Sequence, residues 1–514
     1  MTAAQVQDQS SSNAWGIPRS KFFRWITVVI LLAGAILRVA RWIHPRSLWL
    51  DEIYLAHSVI GRSLHDLLFK PLDDWQAAPP GFLLLEHFCA AALGTSERSL
   101  RLVSLIFGLG SLPLMLAVSR RVLSDGGVAL AMGFCSFLGP LIYYSNEVKP
   151  YACDVAAALG ILLAMLEWWD RPRLHSALVA AGVGVAGIFL SFPAIFVLAG
   201  TAIWLLLRRR AARQVMWVGG IWLAAMAVDY FLFLRVSMRG EGRPHVIYFW
   251  QARNAFMPQD PWPAIQWIFS DLVEIARNPG AMWLDYPDAS IIGLIVGIAV
   301  MAQRGGKLLL VLAPLPVVLI ASEEKLYPFA DRLALFFVPM YLLIIAVGIE
   351  SFWSNVGVNW AAKAAAAAIA GFIFLPSARH ALGYLAEPPG REESLSAYRW
   401  AAQRMHKGDL IFLSRFAEPS FDYYQSEAGW PATMAHSAAV HFQGGPGLQP
   451  ADAFSDVRTF AGRGRVWLIQ IHPDDTESFD TEAITKIAFD QIGTVETSHF
   501  EPGVKVYLYN CAKR

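Results

Sequence analysis

The chain has 514 residues, of which 55% are hydrophobic and only 16% are charged. This composition is too apolar for one soluble core of that length, so the chain is predicted to be an integral membrane protein. Lys and Arg number 42 against 41 Asp and Glu, a formal net charge of +1, which excludes a global field that would attract nucleic acid.

The N-terminal segment, residues 1–24, is polar and rich in Ser and Gln, and it contains no apolar run before a small-residue cleavage site. It is predicted to be a disordered cytoplasmic tail and not a signal peptide. The four cysteines lack CxxC spacing, and most lie in or beside apolar segments. A disulfide framework or a structural zinc site is therefore not expected.

Apolar segments able to cross about 30 Å of hydrocarbon recur from Trp25 onward, and about eleven are predicted to be transmembrane helices. They are Trp25–Ile43, Leu100–Val118, Val128–Tyr144, Tyr151–Trp168, Ala177–Leu190, Phe192–Leu207, Val215–Leu234, Ser290–Ala302, Leu308–Ala321, Leu333–Ile349 and Ala361–Leu375. Basic clusters fall on alternate loops, which predicts that those loops are cytoplasmic. The other loops, and the tail after Pro376, form the predicted outer side.

The last part of the chain, residues 377–514, differs in pattern. Short apolar runs alternate with polar helical patches; the runs are Asp409-Leu-Ile-Phe-Leu, Arg465-Val-Trp-Leu-Ile and Val504-Lys-Val-Tyr-Leu-Tyr. This predicts a small soluble α/β domain with a parallel or mixed sheet. The predicted organisation is a tail (1–24), an α-helical polytopic membrane domain (25–376) with amphipathic helices on the outer side, and an extracytoplasmic domain (377–514). We find no internal repeat and no broken helix.

The first predicted outer loop carries two adjacent carboxylates, Asp51 and Glu52, in the apolar and aromatic run Leu48-Trp49-Leu50-Asp51-Glu52. Such surroundings raise the proton affinity of a carboxylate, so Asp51 could serve as a general base with Glu52 orienting it. The alternative is a helix N-cap formed by Asp51.

Further along this loop, Pro79 and Pro80 begin an apolar segment that ends near Leu93. It is too short for a confident span and is predicted to be a helix on the membrane surface. Glu86 and His87 within it are adjacent and do not share a helix face. Each is expected to be a solvated side chain, with metal ligation or substrate contact as the alternative.

The second outer turn concentrates Glu147, Lys149 and Asp154 beside Tyr151. Ionisable groups at membrane depth cost about 2.5–3.5 kcal/mol at a helix centre and usually mark a polar cavity. The alternative is a structural salt bridge from Lys149 to either carboxylate.

A later outer turn places Tyr327 and Arg332 at the mouth of an apolar span. A guanidinium can hold phosphate oxygens through paired hydrogen bonds, so Arg332 is predicted to bind a phosphate. The alternatives are an interfacial Arg that extends toward water or a partner for Asp331.

These motifs together resemble the GT-C superfamily of membrane glycosyltransferases that use polyprenyl-phosphate sugars. The resemblance covers residues from Trp25 to Ile349 and is nearest to protein mannosyltransferases, lipid A aminoarabinose transferases and galacturonosyltransferases of lipopolysaccharide core. It implies that Asp51 is the catalytic base and Glu52 its assistant, and that Glu147 matches the acid of the second turn. It also implies that Lys149, Tyr151, Asp154, Tyr327 and Arg332 contact the substrates. One departure is Ala77-Ala78 before Pro79-Pro80, where aminoarabinose transferases commonly carry a Lys.

The implied reaction is transfer of a sugar from a polyprenyl-phosphate donor to a lipid, glycan or protein acceptor, with inversion in one displacement. The implied location is the extracytoplasmic face of a bacterial inner membrane, in contact with membrane lipid and no nucleic acid. The leaving phosphate needs charge stabilisation from Lys149, Arg332 or a divalent cation. No cofactor is otherwise implied, and metal ligands stay unassigned.

The rival functions are a transporter or flippase for a lipid-linked sugar, which favours broken helices, and a scaffold whose tail binds a partner.

Overall fold

The computed structural model describes residues 20–237, 243–278, 282–354, 359–386, 390–414, 416–430, 454, 457–472 and 481–512. Contacts divide the chain into two compact units. We call Met1–His44 with Val59–Glu387 the membrane unit, and Pro45–Ser58 with Pro388–Arg514 the tail unit. The tail unit thus includes a segment of the first predicted outer loop as well as the C-terminal residues.

The membrane unit is built of helices. In chain order they are α1 (Lys21–Ile43), the end of α2 (Leu50–Gly61), α3 (Leu64–Phe69), α4 (Pro80–Leu93), α5 (Glu97–Leu100), α6 (Leu102–Val122), α7 (Asp125–Phe137), α8 (Gly139–Tyr143), α9 (Tyr151–Asp170), α10 (Leu174–Leu190), α11 (Ala194–Leu207), α12 (Ala212–Asp229), α13 (Arg235–Ser237), α14 (Arg243–Ala252), α15 (Pro261–Arg277), α16 (Pro287–Arg304), α17 (Pro314–Glu323), α18 (Val338–Ser354) and α19 (Trp360–Ala386). Short 3₁₀ segments lie at Asp73–Trp75, Tyr144–Asn146, Gly306–Leu310 and Asp331–Phe337, and a π-helical turn at Tyr230–Leu234.

Eight helices in the described part are long and apolar enough to cross a membrane, and the number is nine if a bent helix pair forms one span. Two more predicted spans correspond to α10 and α11, which are apolar but shorter. The predicted polytopic helical architecture is therefore confirmed. The expected surface helix after Pro79-Pro80 is α4, which is apolar and 14 residues long.

The helix predicted at 128–144 is broken. Helix α7 and the segment Gly139–Asn146 form a pair bent by 60°, so the expectation that the chain has no broken helix is wrong. Leu138 is extended at the break, and Gly139-Pro140 follows it; a Pro at the start of a helix is compatible with a new helix and not with continuation of the old one.

A buried arginine stabilises this break. Arg38 of α1 is fully buried, and its guanidinium donates to the carbonyl oxygens of Cys135 at 3.3 Å and Ser136 at 3.4 Å. The last carbonyls of a helix have no partner within the helix, so these contacts satisfy groups that lipid could not. A third bond, 3.0 Å to Gly34 O, fixes the guanidinium on its own helix.

Helices α16 and α18 pack with their backbones very close together. Gly293 and Gly297 are four residues apart on α16 and face Gly348, Ile344 and Ile345 of α18. A methyl built on Gly297 would lie 2.0 Å from Ile344 O, and one built on Gly348 would lie 2.5 Å from Gly293 O. Small residues at this spacing let two membrane helices approach with their backbones nearly in contact.

The tail unit holds a four-stranded mixed sheet, of order β1-β2-β4-β3, formed by β1 (Leu410–Leu413), β2 (Arg465–Ile471), β3 (Thr494–Glu501) and β4 (Val504–Asn510). β1 and β2 are parallel, and β4 is antiparallel to both β2 and β3. The described helices of the unit, besides most of α2, are α20 (Ser394–Ala402), α21 (Ala417–Tyr424) and α22 (Thr481–Ile492). The predicted small α/β fold is confirmed. Strand β3 was not predicted, because its alternately exposed sequence has no apolar run.

Candidate active-site residues

The acidic pair lies in the first turn of α2, which begins at Leu50. Asp51 is therefore inside the helix, and the alternative that it is the N-cap is wrong. Glu52 is buried, and its Oε2 accepts a hydrogen bond of 3.3 Å from the backbone N–H of Trp49. This is the return bond of a capping box, in which the third helical residue reaches back to the residue before the helix. Asp51, which is partly exposed, keeps its side chain out of this bond.

Backbone amides on either side of Trp49 are bound by C-terminal residues of the tail unit. The N–H of Leu48 donates to the Tyr424 hydroxyl at 2.6 Å, and the N–H of Leu50 donates to Glu392 Oε2 at 2.8 Å. The first N–H groups of a helix have no partner within it. An acidic side chain at that position also suits the positive end of the helix dipole.

Side chains of the same unit surround Trp49. The Arg391 guanidinium lies 4.2 Å from the centre of its ring, and His472 stacks at 6.2 Å with an interplanar angle of 29°. His472 Nδ1 is 2.6 Å from Glu392 Oε1, and the Glu392 side chain is only 2% exposed. The two oxygens of this carboxylate therefore contact the α2 N-terminus and an imidazole.

In the membrane unit, Glu147 and Lys149 lie in the buried segment between Asn146 and α9. Ser104 Oγ donates to the backbone oxygens of Glu147 at 2.5 Å and Lys149 at 3.0 Å, which fixes both residues against α6. The amino group of Lys149 donates to Gln76 Oε1. Glu147 and Lys149 are almost completely buried, at 1% and 5% exposure, so ionisable groups are brought together where burial of a charge is costly.

Two arginines that the sequence analysis did not single out join this cluster. Arg41 and Arg101 are buried. Their two positive charges repel each other, and Arg41 is attracted to the carboxylate of Glu147. The Arg41 guanidinium lies 4.6 Å from the centre of the Tyr143 ring. The sequence could have indicated both arginines by their position, because each lies at the outer end of a predicted span. A guanidinium buried there requires a partner of opposite charge or a hydrogen-bond acceptor.

Asp154, Tyr151 and Tyr327 form a second group. Asp154 and Tyr151 are buried in the first turn of α9, and both interact electrostatically with Tyr327. Burial, together with the neighbouring Asp154 and Tyr151, raises the pKa of Tyr327 well above its usual range. The Tyr327 hydroxyl donates to Leu333 O at 2.9 Å, which anchors the turn before the 3₁₀ segment that carries Arg332.

Arg332 is half-buried, and its guanidinium lies 5.8 Å from the centre of the Trp250 ring of α14. An indole face at this distance attracts a cation and restricts its orientation.

The expectation for Glu86 is wrong. It was predicted to be solvated, but it is fully buried on α4 and interacts electrostatically with Cys153 of α9. His87, on another face of α4, is half-buried, and its Nδ1 lies 3.1 Å from Val59 O. Sequence alone could not distinguish the two, because burial here depends on which face of α4 meets the neighbouring helices.

In the described residues, no group of three or more His, Cys, Asp or Glu is placed to hold a metal ion. A Mg²⁺ ion held by one or two carboxylates together with substrate phosphate needs no such group. The divalent cation considered from the sequence thus stays a prediction.

No protein-family model and no curated protein matches the sequence. Among the solved structures with a similar fold are those of two proteins. ArnT from Cupriavidus metallidurans is 12% identical over 95% of this chain and 97% of its own, with a TM-score of 0.53 in the apo state and 0.50 when bound to undecaprenyl phosphate. The archaeal oligosaccharyltransferase AglB from Archaeoglobus fulgidus, in complex with an inhibitory peptide and a dolichol-phosphate, is 13% identical over 95% of this chain and 74% of its own, with a TM-score of 0.52. A complex of the Archaeoglobus fulgidus oligosaccharyltransferase with zinc and sulfate has a TM-score of 0.54 at 12% identity, over 94% of this chain and 72% of its own.

At these identities the similarity establishes the fold. The chain shares the fold of ArnT and of the archaeal oligosaccharyltransferase, in agreement with the fold that the resemblance of its motifs implies.

Proposed function

We propose that the protein is a glycosyltransferase that moves a sugar from a polyprenyl-phosphate donor to a lipid, glycan or protein acceptor. The reaction takes place at the extracytoplasmic face of a bacterial inner membrane, with the N-terminus in the cytoplasm and the tail unit outside. The observation that carries the proposal is the GT-C fold over 95% of the chain, shared with ArnT, whose structure holds undecaprenyl phosphate. A shared fold alone would leave the chemistry open, so the residues must supply the rest.

The buried charges support the same proposal. The membrane unit brings Arg41, Arg101, Glu147 and Lys149 to a region where unpaired charges are costly. A cluster containing several cations suits a lipid-linked phosphate, whose tail stays in the bilayer while its charge is neutralised. The amino group of Lys149 donates to Gln76, so a cation lies beside the Pro-Pro segment even though Ala77-Ala78 supplies none.

In the proposed mechanism, Asp51 removes a proton from the acceptor hydroxyl or amine as that atom attacks the anomeric carbon. The bond from this carbon to the donor phosphate breaks in the same step, so the configuration inverts. Polyprenyl phosphate leaves as an anion, and Lys149 and Arg332 stabilise its charge. Glu52, whose carboxylate is engaged with Trp49, orients Asp51 by holding the first turn of α2. A divalent cation would also neutralise the charge of the leaving phosphate. The archaeal oligosaccharyltransferase has been solved with zinc and sulfate, so the effect of added divalent metal should be tested.

The test is turnover of a panel of polyprenyl-phosphate sugars by the purified protein and by Asp51→Asn. Loss of a general base costs about 10²–10⁴-fold in rate, and we expect a loss in that range. Asp288→Asn is the matched control, because Asp288 is an exposed acid on another predicted outer loop. Equal turnover of Asp51→Asn and the wild type would refute the role of Asp51, and a wild-type protein inactive toward every donor would refute the proposed function.

The broken helix α7–α8 is one feature expected of a transporter. Transporters place interrupted helices as a pair in corresponding halves of the chain, whereas the described residues contain one bent pair. Reconstituted vesicles distinguish the two functions, because a flippase would move the intact lipid-linked sugar across the bilayer without breaking its glycosyl bond.

A further inference from the structure

The segment before Asp51 is bound to C-terminal residues at every position from Arg46 to Leu50. Arg46 pairs with Glu393 at 3.4 Å, and Ser47 Oγ accepts from the N–H of Leu395 at 3.2 Å. The amides of Leu48 and Leu50 donate to Tyr424 and Glu392, and the Trp49 ring lies next to Arg391 and His472.

Glu392 has the central place in this set. Its carboxylate is buried and touches both the first amide of α2, at 2.8 Å, and His472, at 2.6 Å. A buried carboxylate is costly unless it is paired and hydrogen-bonded, so its position is fixed by two strong contacts. Because Asp51 directly follows Leu50, the same contacts fix where the first turn of α2 begins.

We propose that Glu392, supported by His472, is a positioning residue for Asp51, and that the tail unit serves the reaction by holding the first turn of α2. This inference rests on the proposed function. Glu392 touches the backbone next to the base and acts through it. Movement of a reacting group by about 1 Å can cost about a hundredfold in rate, so a side chain outside the reacting set can control turnover.

The experiment compares Glu392→Ala and Glu392→Gln in the full-length protein. Alanine removes both contacts, whereas the amide oxygen of glutamine can still accept from the Leu50 N–H. For Glu392→Ala we expect kcat to fall by about tenfold or more while KM for the donor stays within twofold. Glu392→Gln should recover most of that loss. The control Glu427→Ala removes an exposed ion pair with Arg399 of the same unit, at 2.9 Å, and should leave kcat unchanged.

Hydrogen–deuterium exchange supplies a readout that does not depend on activity. Peptides covering residues 48–53 should exchange faster in Glu392→Ala than in the wild type, and at the wild-type rate in Glu427→Ala. The positioning role is overturned if Glu392→Ala keeps wild-type kcat, if Glu427→Ala loses as much, or if exchange at 48–53 is unchanged. A wild-type protein without transferase activity refutes the proposed function instead, and the exchange result then still decides whether Glu392 holds the turn.

Discussion

Substitution of Gly297 by alanine tests whether the α16–α18 contact is as close as described. The added methyl would lie 2.0 Å from Ile344 O and 2.7 Å from its carbonyl carbon, whereas ordinary contact begins at 3.4 Å. These are backbone atoms and cannot rotate away, so the two helices must separate. Overpacking typically costs about 1–3 kcal/mol, and a clash with fixed backbone atoms belongs at the upper end of that range. It therefore outweighs the roughly 1 kcal/mol that alanine gains over glycine in a helix.

We therefore expect Gly297→Ala to lower the unfolding midpoint of the purified protein, followed by intrinsic tryptophan fluorescence in detergent. Gly219→Ala is the matched control, because Gly219 lies on the membrane helix α12 with nothing within 4 Å of a built methyl. That variant should be neutral or slightly stabilised. An unchanged midpoint for Gly297→Ala, or an equal decrease for Gly219→Ala, would refute the close contact.

Three further predictions follow from single residues. Arg332→Ala should weaken donor binding more than acceptor binding in equilibrium titrations, and the reverse order would remove its phosphate role. Arg38→Leu should destabilise the protein by about 1–3 kcal/mol, because buried carbonyl groups at the break of α7 lose their donor; the exposed Arg24→Leu on the same helix should not. Burial raises the pKa of the Cys511 thiol to about 11, so at pH 8 it is almost entirely protonated. Iodoacetamide should therefore modify Cys511 much more slowly in the native protein than after unfolding, and equal rates, read by mass spectrometry, would contradict its burial.

The helical architecture could be predicted because a membrane-spanning helix is a local property of the sequence. Length and hydropathy located α1, α6 and α9 without knowledge of their neighbours. The break after α7 was missed even though Gly139-Pro140 marks it, because the apolar run continues on both sides. Strand β3 was missed because an edge strand beside a single partner needs no continuous apolar sequence.

The candidate site was only partly predictable. Ionisable residues in apolar surroundings pointed to Asp51, Glu147 and Lys149, because the cost of burying a charge is independent of the fold. The packing of Pro45–Ser58 with the C-terminal residues could not be predicted from local sequence, because its partners lie hundreds of residues away in the chain. The burial of Glu86 depends in the same way on tertiary packing of α4.

The bonds from Leu48 and Leu50 have a consequence for the biogenesis of the protein. They join residues 376 and 342 positions apart in the sequence. A ribosome adds about 5–20 residues per second, so the first loop emerges well before the residues that hold it. The acidic turn would thus be completed late, after the membrane helices have been inserted and the C-terminal sheet has folded. A chain that stops short of Glu392 would contain every predicted membrane span and every proposed substrate contact, yet it would lack the support of its base.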